Sequence, residues 1–122
     1  MTGVQTCAFR SASPAHISRQ AVLEEGDDHH DHVLVNAGAS IGRNCIINTK
    51  ALIEHDVVIE DHCHISTAAV VNGAATVRRE SFIGSNAVVR EHIVVGEGSI
   101  VGAGVTVLHS VGARSVIRSQ RS

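Results

Sequence analysis

The sequence predicts an all-β chain, a parallel β-helix of hexapeptide repeats with about five coils, because a fixed short period is the mark of a solenoid. Three observations predict it. First, an aliphatic residue returns every six positions from Ile17 to Val107, and the one exception is His29. Second, the fifth residue of nearly every hexad is small or β-branched: Ala21, Val33, Ala39, Cys45, Ala51, Val57, Cys63, Ala69, Ala75, Ser81, Ala87, Ile93, Ser99, Val105 and Val111. Third, the aromatics are only Phe9 and Phe82, with no Trp or Tyr. A globular core usually leans on aromatic area. A narrow prism filled by Ile, Val, Leu and Ala does not need it.

Each hexad supplies one short strand and one corner. Three hexads return the chain to its starting face, so residues 18 apart become vertical neighbours. The first face stacks Ile17, Val35, Ile53, Val71, Val89 and Val107. The second stacks Leu23, Ile41, Ile59, Val77 and Val95, and the third His29, Ile47, Ile65, Ile83 and Val101. Each coil buries its neighbour's apolar face, so stability is shared between adjacent repeats. No helical period runs through these segments. Gly42, Asn44, Gly84, Asn86, Gly96, Gly98, Gly102 and Gly104 fall near corners, where unusual backbone angles are expected.

Two segments depart from the pattern. Residues 1–11 read as a non-native or disordered tail, since Gly3-Val4-Gln5-Thr6-Cys7-Ala8 followed by Phe9-Arg10-Ser11 resembles a translated DNA-sequencing adapter. Residues 12–122 then form the β-helix domain. The second departure, Asp27-Asp28-His29-His30-Asp31-His32, keeps the register but places polar Asp27 and His29 where core residues belong. It reads as a surface bulge, an out-of-frame stretch or a divalent-metal cluster.

The formal net charge of −2 argues against a nucleic-acid surface, and no run of 18 apolar residues could span a membrane. No charged-then-apolar leader is present, which points to the cytoplasm and to reduced thiols. Cys45 and Cys63 lie 18 residues apart at the fifth hexad position, close enough when stacked to admit a disulfide. The preferred reading is two small, reduced core fillers.

The stretch with most chemical content is Asn44 to Ser66, NCIINTKALIEHDVVIEDHCHIS. It holds Ile53-Glu54-His55-Asp56 and then His64, nine residues after His55. Histidine can exchange a proton near neutral pH, and His55 at a corner should face outward. This stretch resembles the hexapeptide-repeat acetyltransferases of amino sugars, the bacterial UDP-4-amino-sugar N-acetyltransferases and sialic-acid O-acetyltransferases. The resemblance implies a left-handed coil, acetyl-CoA as donor, a sugar acceptor and a homotrimer with coenzyme A at the seam between subunits. It implies His55 as general base, with Asp56 orienting it, and places His64, Gly73, Ser85 and Ala103 along acetyl-CoA. Asn48 matches a position near the acceptor sugar. It also implies that the family's N-terminal sugar-binding domain is missing here. Arg78, Arg79 and Arg90 could meet nucleotide phosphates, whereas His62, His92 and His109 read as surface corners.

Two other readings compete. A non-catalytic trimeric scaffold, or an inactive fragment, is one. A zinc enzyme resembling the γ-class carbonic anhydrases is the other, but it needs a histidine two coils from His55, where Glu91 stands.

Overall fold

The structure, a computed structural model, describes residues 33–120 and, before them, the backbone of four short strands, Arg10–Ser11, His16–Ile17, Val22–Leu23 and Asp28–His29. All paired strands are two residues long and parallel, and they form three sheets. The first face stacks His16–Ile17, Leu34–Val35, Leu52–Ile53, Val70–Val71, Val88–Val89 and Thr106–Val107. The second stacks Val22–Leu23, Ser40–Ile41, Val58–Ile59, Thr76–Val77 and Val94–Val95. The third runs from Arg10–Ser11 and Asp28–His29 through Ile46–Ile47, His64–Ile65, Phe82–Ile83 and Ile100–Val101 to Val116–Ile117. Partners such as Val35 and Ile53, Ile59 and Val77, or Ile65 and Ile83 stand one coil apart in sequence. Residues 33–120 thus make a parallel β-solenoid of about five turns, as the period predicts.

From Leu34–Val35 onward, each strand turns its second residue inward and its first outward. Ile41, Ile47, Ile53, Ile65, Val71 and Ile83 are fully buried, and with the fifth-position residues they fill the prism. Burying one such side chain contributes roughly 1.5–3 kcal/mol. The polar 27–32 cluster lies outside the described residues, apart from the backbone of Asp28–His29.

Corners obey a stricter rule than the glycine pattern suggests. The fourth residue of every hexad from Gly38 to Gly104 has a φ between +55° and +76°, including Lys50, His62, Ala68 and Glu80. An L-residue pays about 1–2 kcal/mol for that conformation. The compensation is a coil-to-coil hydrogen bond. The fourth residue's N–H donates to the third residue's carbonyl one turn earlier, as Asp56 to Ala37 (3.1 Å), His62 to Arg43 (2.8 Å) and Ala74 to His55 (3.0 Å). The expectation for Gly42, Gly84, Gly96 and Gly102 is therefore corrected: they stand second in their hexads and lack a positive φ. Gly42, Gly84 and Gly96 instead allow close approach of the next coil's backbone. A Cβ on Gly84 would lie 2.7 Å from the Ala103 nitrogen, and one on Gly42 2.8 Å from the Asp61 nitrogen.

The three edges between faces differ. We number them first (faces one to two), second (two to three) and third (three to one). On the second edge the fifth-position column is Cys45, Cys63, Ser81 and Ser99, and all four are buried. Each donates to a corner carbonyl of the next coil: Cys45 to Glu60 (3.1 Å), Cys63 to Arg78 (3.1 Å), Ser81 to Gly96 (3.0 Å) and Ser99 to Gly112 (3.1 Å). Elsewhere such carbonyls take a turn N–H, as when Ala51 donates to Asn48 (3.1 Å) on the third edge and Ala75 to Asn72 (3.2 Å) on the first. The Cys63 thiol is held below its ordinary range, first by the hydrogen bond from the Cys45 side chain; burial opposes this, and backbone hydrogen bonds at Ser81 and Glu80 assist.

The last coil corrects the repeat frame. Val111, expected at a fifth position, bridges Val95, a first-position residue, and Ile117 pairs with Val101. Two residues are lost after Val107, so Val111 opens a further hexad. Gln120 closes this short corner: its Oε1 accepts from the Leu108 and His109 N–H groups.

Candidate active site

The first edge is a column of corners, Asn36-Ala37-Gly38, Glu54-His55-Asp56, Asn72-Gly73-Ala74 and Arg90-Glu91-His92. Glu54 is tied into the column by the Asn36 amide, which donates to its Oε1 at 2.8 Å. His55 and Asp56 project outward, with side chains 66% and 68% exposed, as needed to meet a substrate. Their contact is His55 Nδ1 to Asp56 Oδ2 at 3.3 Å. A carboxylate on Nδ1 favours the tautomer that carries its proton there and leaves Nε2 as the acceptor. The ring is laid over Gly73, where a Cβ would stand 2.7 Å from Cε1 and 2.8 Å from Nε2.

Gly73 also offers a donor. At this corner the hydrogen-bond ladder uses the N–H groups of Asn72, Ala74 and Ala75, so the Gly73 N–H stands outside it. The same hexad position binds carboxylate oxygens elsewhere: Arg43 N–H donates to Asp61 at 2.8 Å and Arg79 N–H to Glu60 at 3.1 Å. A third-position N–H is thus a seat for anionic oxygen in this fold.

The other expected residues stand apart from the dyad. Asn48, Ser85 and Ala103 lie on the third edge, and the first face separates that edge from His55. The Asn48 Oδ1 accepts from the Thr49 N–H at 2.8 Å. The Ser85 hydroxyl meets the buried Ser66 hydroxyl at 3.0 Å. Ser66 is a neighbour that sequence reasoning missed, and its only signal was a small polar residue one coil before Gly84-Ser85. His64 lies on the outer side of the third face, half-buried and edge-to-face with Phe82 at 5.0 Å. One chain therefore holds two groups, His55–Asp56–Gly73 on one edge and His64–Asn48–Ser85–Ala103 on another face and edge. Arg78 and Arg79 lie on the second edge and face Glu60 (3.4 Å) and Glu97 (3.5 Å), so these guanidinium groups have carboxylate partners within the chain. Cys45 and Cys63 point into the prism, at most 1% exposed, where neither thiol reaches a substrate. Glu91, not a histidine, stands two coils from His55, and the described residues hold no group of three or more His, Cys, Asp or Glu suited to a metal ion.

Residues 74–109 match the bacterial transferase hexapeptide family of six repeats. The repeat that this model describes is the six-residue period that builds the solenoid. Solved structures extend the likeness over most of its length. A His→Asn mutant of perosamine N-acetyltransferase from Caulobacter crescentus, in complex with CoA and GDP-perosamine, superposes with a TM-score of 0.87 at 29% identity. The match covers 94% of this chain and 53% of that one. The acetyltransferase domain of PglB from Neisseria gonorrhoeae is similar with a TM-score of 0.56 at 26% identity, over 89% of this chain and 47% of that one. WeeI from Acinetobacter baumannii gives 0.61 at 25% identity, over 89% and 51%. The chain spans about half the length of these structures. No curated protein sequence matches it. No helix among the described residues is long and apolar enough to cross a membrane.

Proposed function

We propose that this hexapeptide-repeat chain carries the acetyl-CoA half of an acetyltransferase that acts on a nucleotide-linked amino sugar. The observation that carries the reading is the outward His55–Asp56 pair seated over Gly73. His55 Nε2 removes the proton from the acceptor nitrogen as that nitrogen attacks a thioester carbonyl. The carbonyl electrons move onto oxygen, where the Gly73 N–H stabilises the charge. The C–S bond then breaks, and the proton held by His55 can pass to the departing thiolate. Asp56 holds the imidazole tautomer and the charge it gains. Acetyl-CoA supplies the activated acetyl group. His64, Ser85 and Ala103 would hold it, and the open space around Gly104, with no atom within 4 Å of a Cβ placed there, leaves room for a chain to lie along the third edge. Asn48 on that edge is proposed to meet the acceptor.

Because the dyad and these residues occupy different edges, a complete site requires a second copy. A homotrimer closed about a threefold axis would set the first edge of one copy against the third face and edge of the next. The relatives supply the substrate class, since the Caulobacter enzyme is held with CoA and a nucleotide-linked amino sugar.

Thiol release from acetyl-CoA in the presence of GDP-perosamine or a UDP-linked amino sugar tests the reading. Acceptor-dependent release is expected, with His55→Ala losing about 10²–10⁴-fold, the usual share of general base catalysis. Release that is unchanged in His55→Ala would remove His55 from the chemistry.

A further inference from the structure

A carboxylate as exposed as Asp56 gains little by pairing with a neighbour, because water screens the charge and the side chain loses freedom. Something must nevertheless hold it against His55. The surroundings of the first edge show what does. Directly beneath Asp56, one coil earlier, stands Gly38. A Cβ on Gly38 would clash with Asp56 Oδ1, far inside van der Waals contact, and lie 3.1 Å from its Cγ. The carboxylate therefore occupies the volume that any other residue at 38 would fill. From that seat the other oxygen, Oδ2, reaches His55 Nδ1. Above, Gly73 leaves the matching space for the imidazole. The pair lies in a slot with a missing side chain at each end.

The alternative explanation for Gly38 is its backbone, since its φ is +76°. That explanation is weak in this fold. Ala68 and Ala74 occupy the same hexad position at φ +58° and +60°, and so do Lys50, His62 and Glu80. The coil-to-coil hydrogen bond imposes the conformation on whichever residue is there. Gly98 makes the comparison sharper. It has the same hexad position and a φ of +66°, yet a Cβ there would meet only Arg114 Cγ, at the ordinary distance of 3.4 Å. Gly38 and Gly98 share a backbone; only Gly38 has a carboxylate in the space above it.

We infer that Gly38 is a positioning residue, one that seats the Asp56 carboxylate against His55 by having no side chain of its own. This rests on the reading of His55–Asp56 as the catalytic pair. An added methyl group would meet the far end of a movable side chain rather than backbone, so Gly38→Ala should displace Asp56 and spare the fold.

The test is ¹⁵N NMR of the His55 imidazole in the full chain, recorded above the titration range, where the Nδ1 and Nε2 shifts report the ratio of the two neutral tautomers. In the wild type and Gly98→Ala the ratio should favour a proton on Nδ1. In Gly38→Ala it should fall by about two- to fivefold, the scale of an exposed ion pair. Asp56→Ala should fall equally, and the Gly38→Ala/Asp56→Ala double variant should fall no further. A wild-type ratio in Gly38→Ala would overturn the inference. So would a melting temperature for Gly38→Ala well below that of Gly98→Ala, since the glycine would then be serving the fold. Turnover enters none of these readings, so failure of the acetyltransferase assignment would be seen separately, as absent thiol release with the tautomer response intact.

Discussion

The first and second edges follow one six-residue plan and come to opposite ends. On the second edge the fifth-position side chains turn inward and are spent on the stack, with two thiols and two hydroxyls each bonded to a carbonyl of the next coil. Two of its glycines stand against backbone: a Cβ on Gly96 would meet the Gly112–Ala113 peptide, and one on Gly42 the Glu60–Asp61 peptide together with the Asp61 carboxylate, which is itself bonded to the Arg43 N–H. On the first edge the glycines are filled by side chains, Gly38 by Asp56 and Gly73 by His55. A glycine in a solenoid takes its meaning from what lies one coil away. Against backbone it serves stability, and against the His55–Asp56 pair it leaves room for the proposed chemistry.

That contrast can be broken by substitution, and the largest effect is expected on the open edge. His55→Ala should abolish most turnover, at the scale given above, while shifting stability by less than about 0.5 kcal/mol, as for exposed sites. Urea melts beside thiol-release rates check both halves. A stability loss that matches the activity loss would merge the two edges into one role.

Gly96→Ala comes next, with the opposite signature. Its Cβ would fall within the Gly112–Ala113 peptide, so an overpacking cost of about 1–3 kcal/mol or more is expected, read as a lower urea midpoint. Ser81→Ala should follow closely. It removes the donor to the buried Gly96 carbonyl and an acceptor near the Ser99 N–H, and an unsatisfied buried group costs about 1–3 kcal/mol. Cys63→Ser should cost less than Cys63→Ala, because a hydroxyl keeps the column continuous with Ser81. Equal losses would mean that the thiol acts only by volume.

The smallest effect belongs to the last coil. Gln120→Ala withdraws the acceptor from the Leu108 and His109 amides at an exposed end, for about 0.5–1.5 kcal/mol. Hydrogen exchange should show that loss confined to residues 107–117, since solenoid repeats respond mainly to their neighbours.

Much of this was legible in the sequence. The six-residue period specifies the faces and the inward residues, and one coil of separation stacks His55 over Gly73. The missed features share one cause: each is decided by a residue a coil away. His62, Ala68 and Glu80 give no sign of a left-handed backbone, because the hydrogen bond that imposes it joins two coils. Val111 suits either a first or a fifth position, so the two-residue loss after Val107 leaves the apolar pattern intact. Gly38 looks like any corner glycine until Asp56 is seen lying in its space. The separation of His55 from Ser85 and Ala103 needed the three edges to be traced in space.

That separation gives the most direct measurement. Acetyl-CoA should be titrated calorimetrically into the purified chain, beside Ser85→Phe and His64→Ala, with the assembly state followed by sedimentation. Saturable binding by a trimer, lost in Ser85→Phe and weakened in His64→Ala, is the result expected if the donor lies along the third edge between copies. A folded trimer that binds no acetyl-CoA, or binds it equally in all three chains, would contradict it.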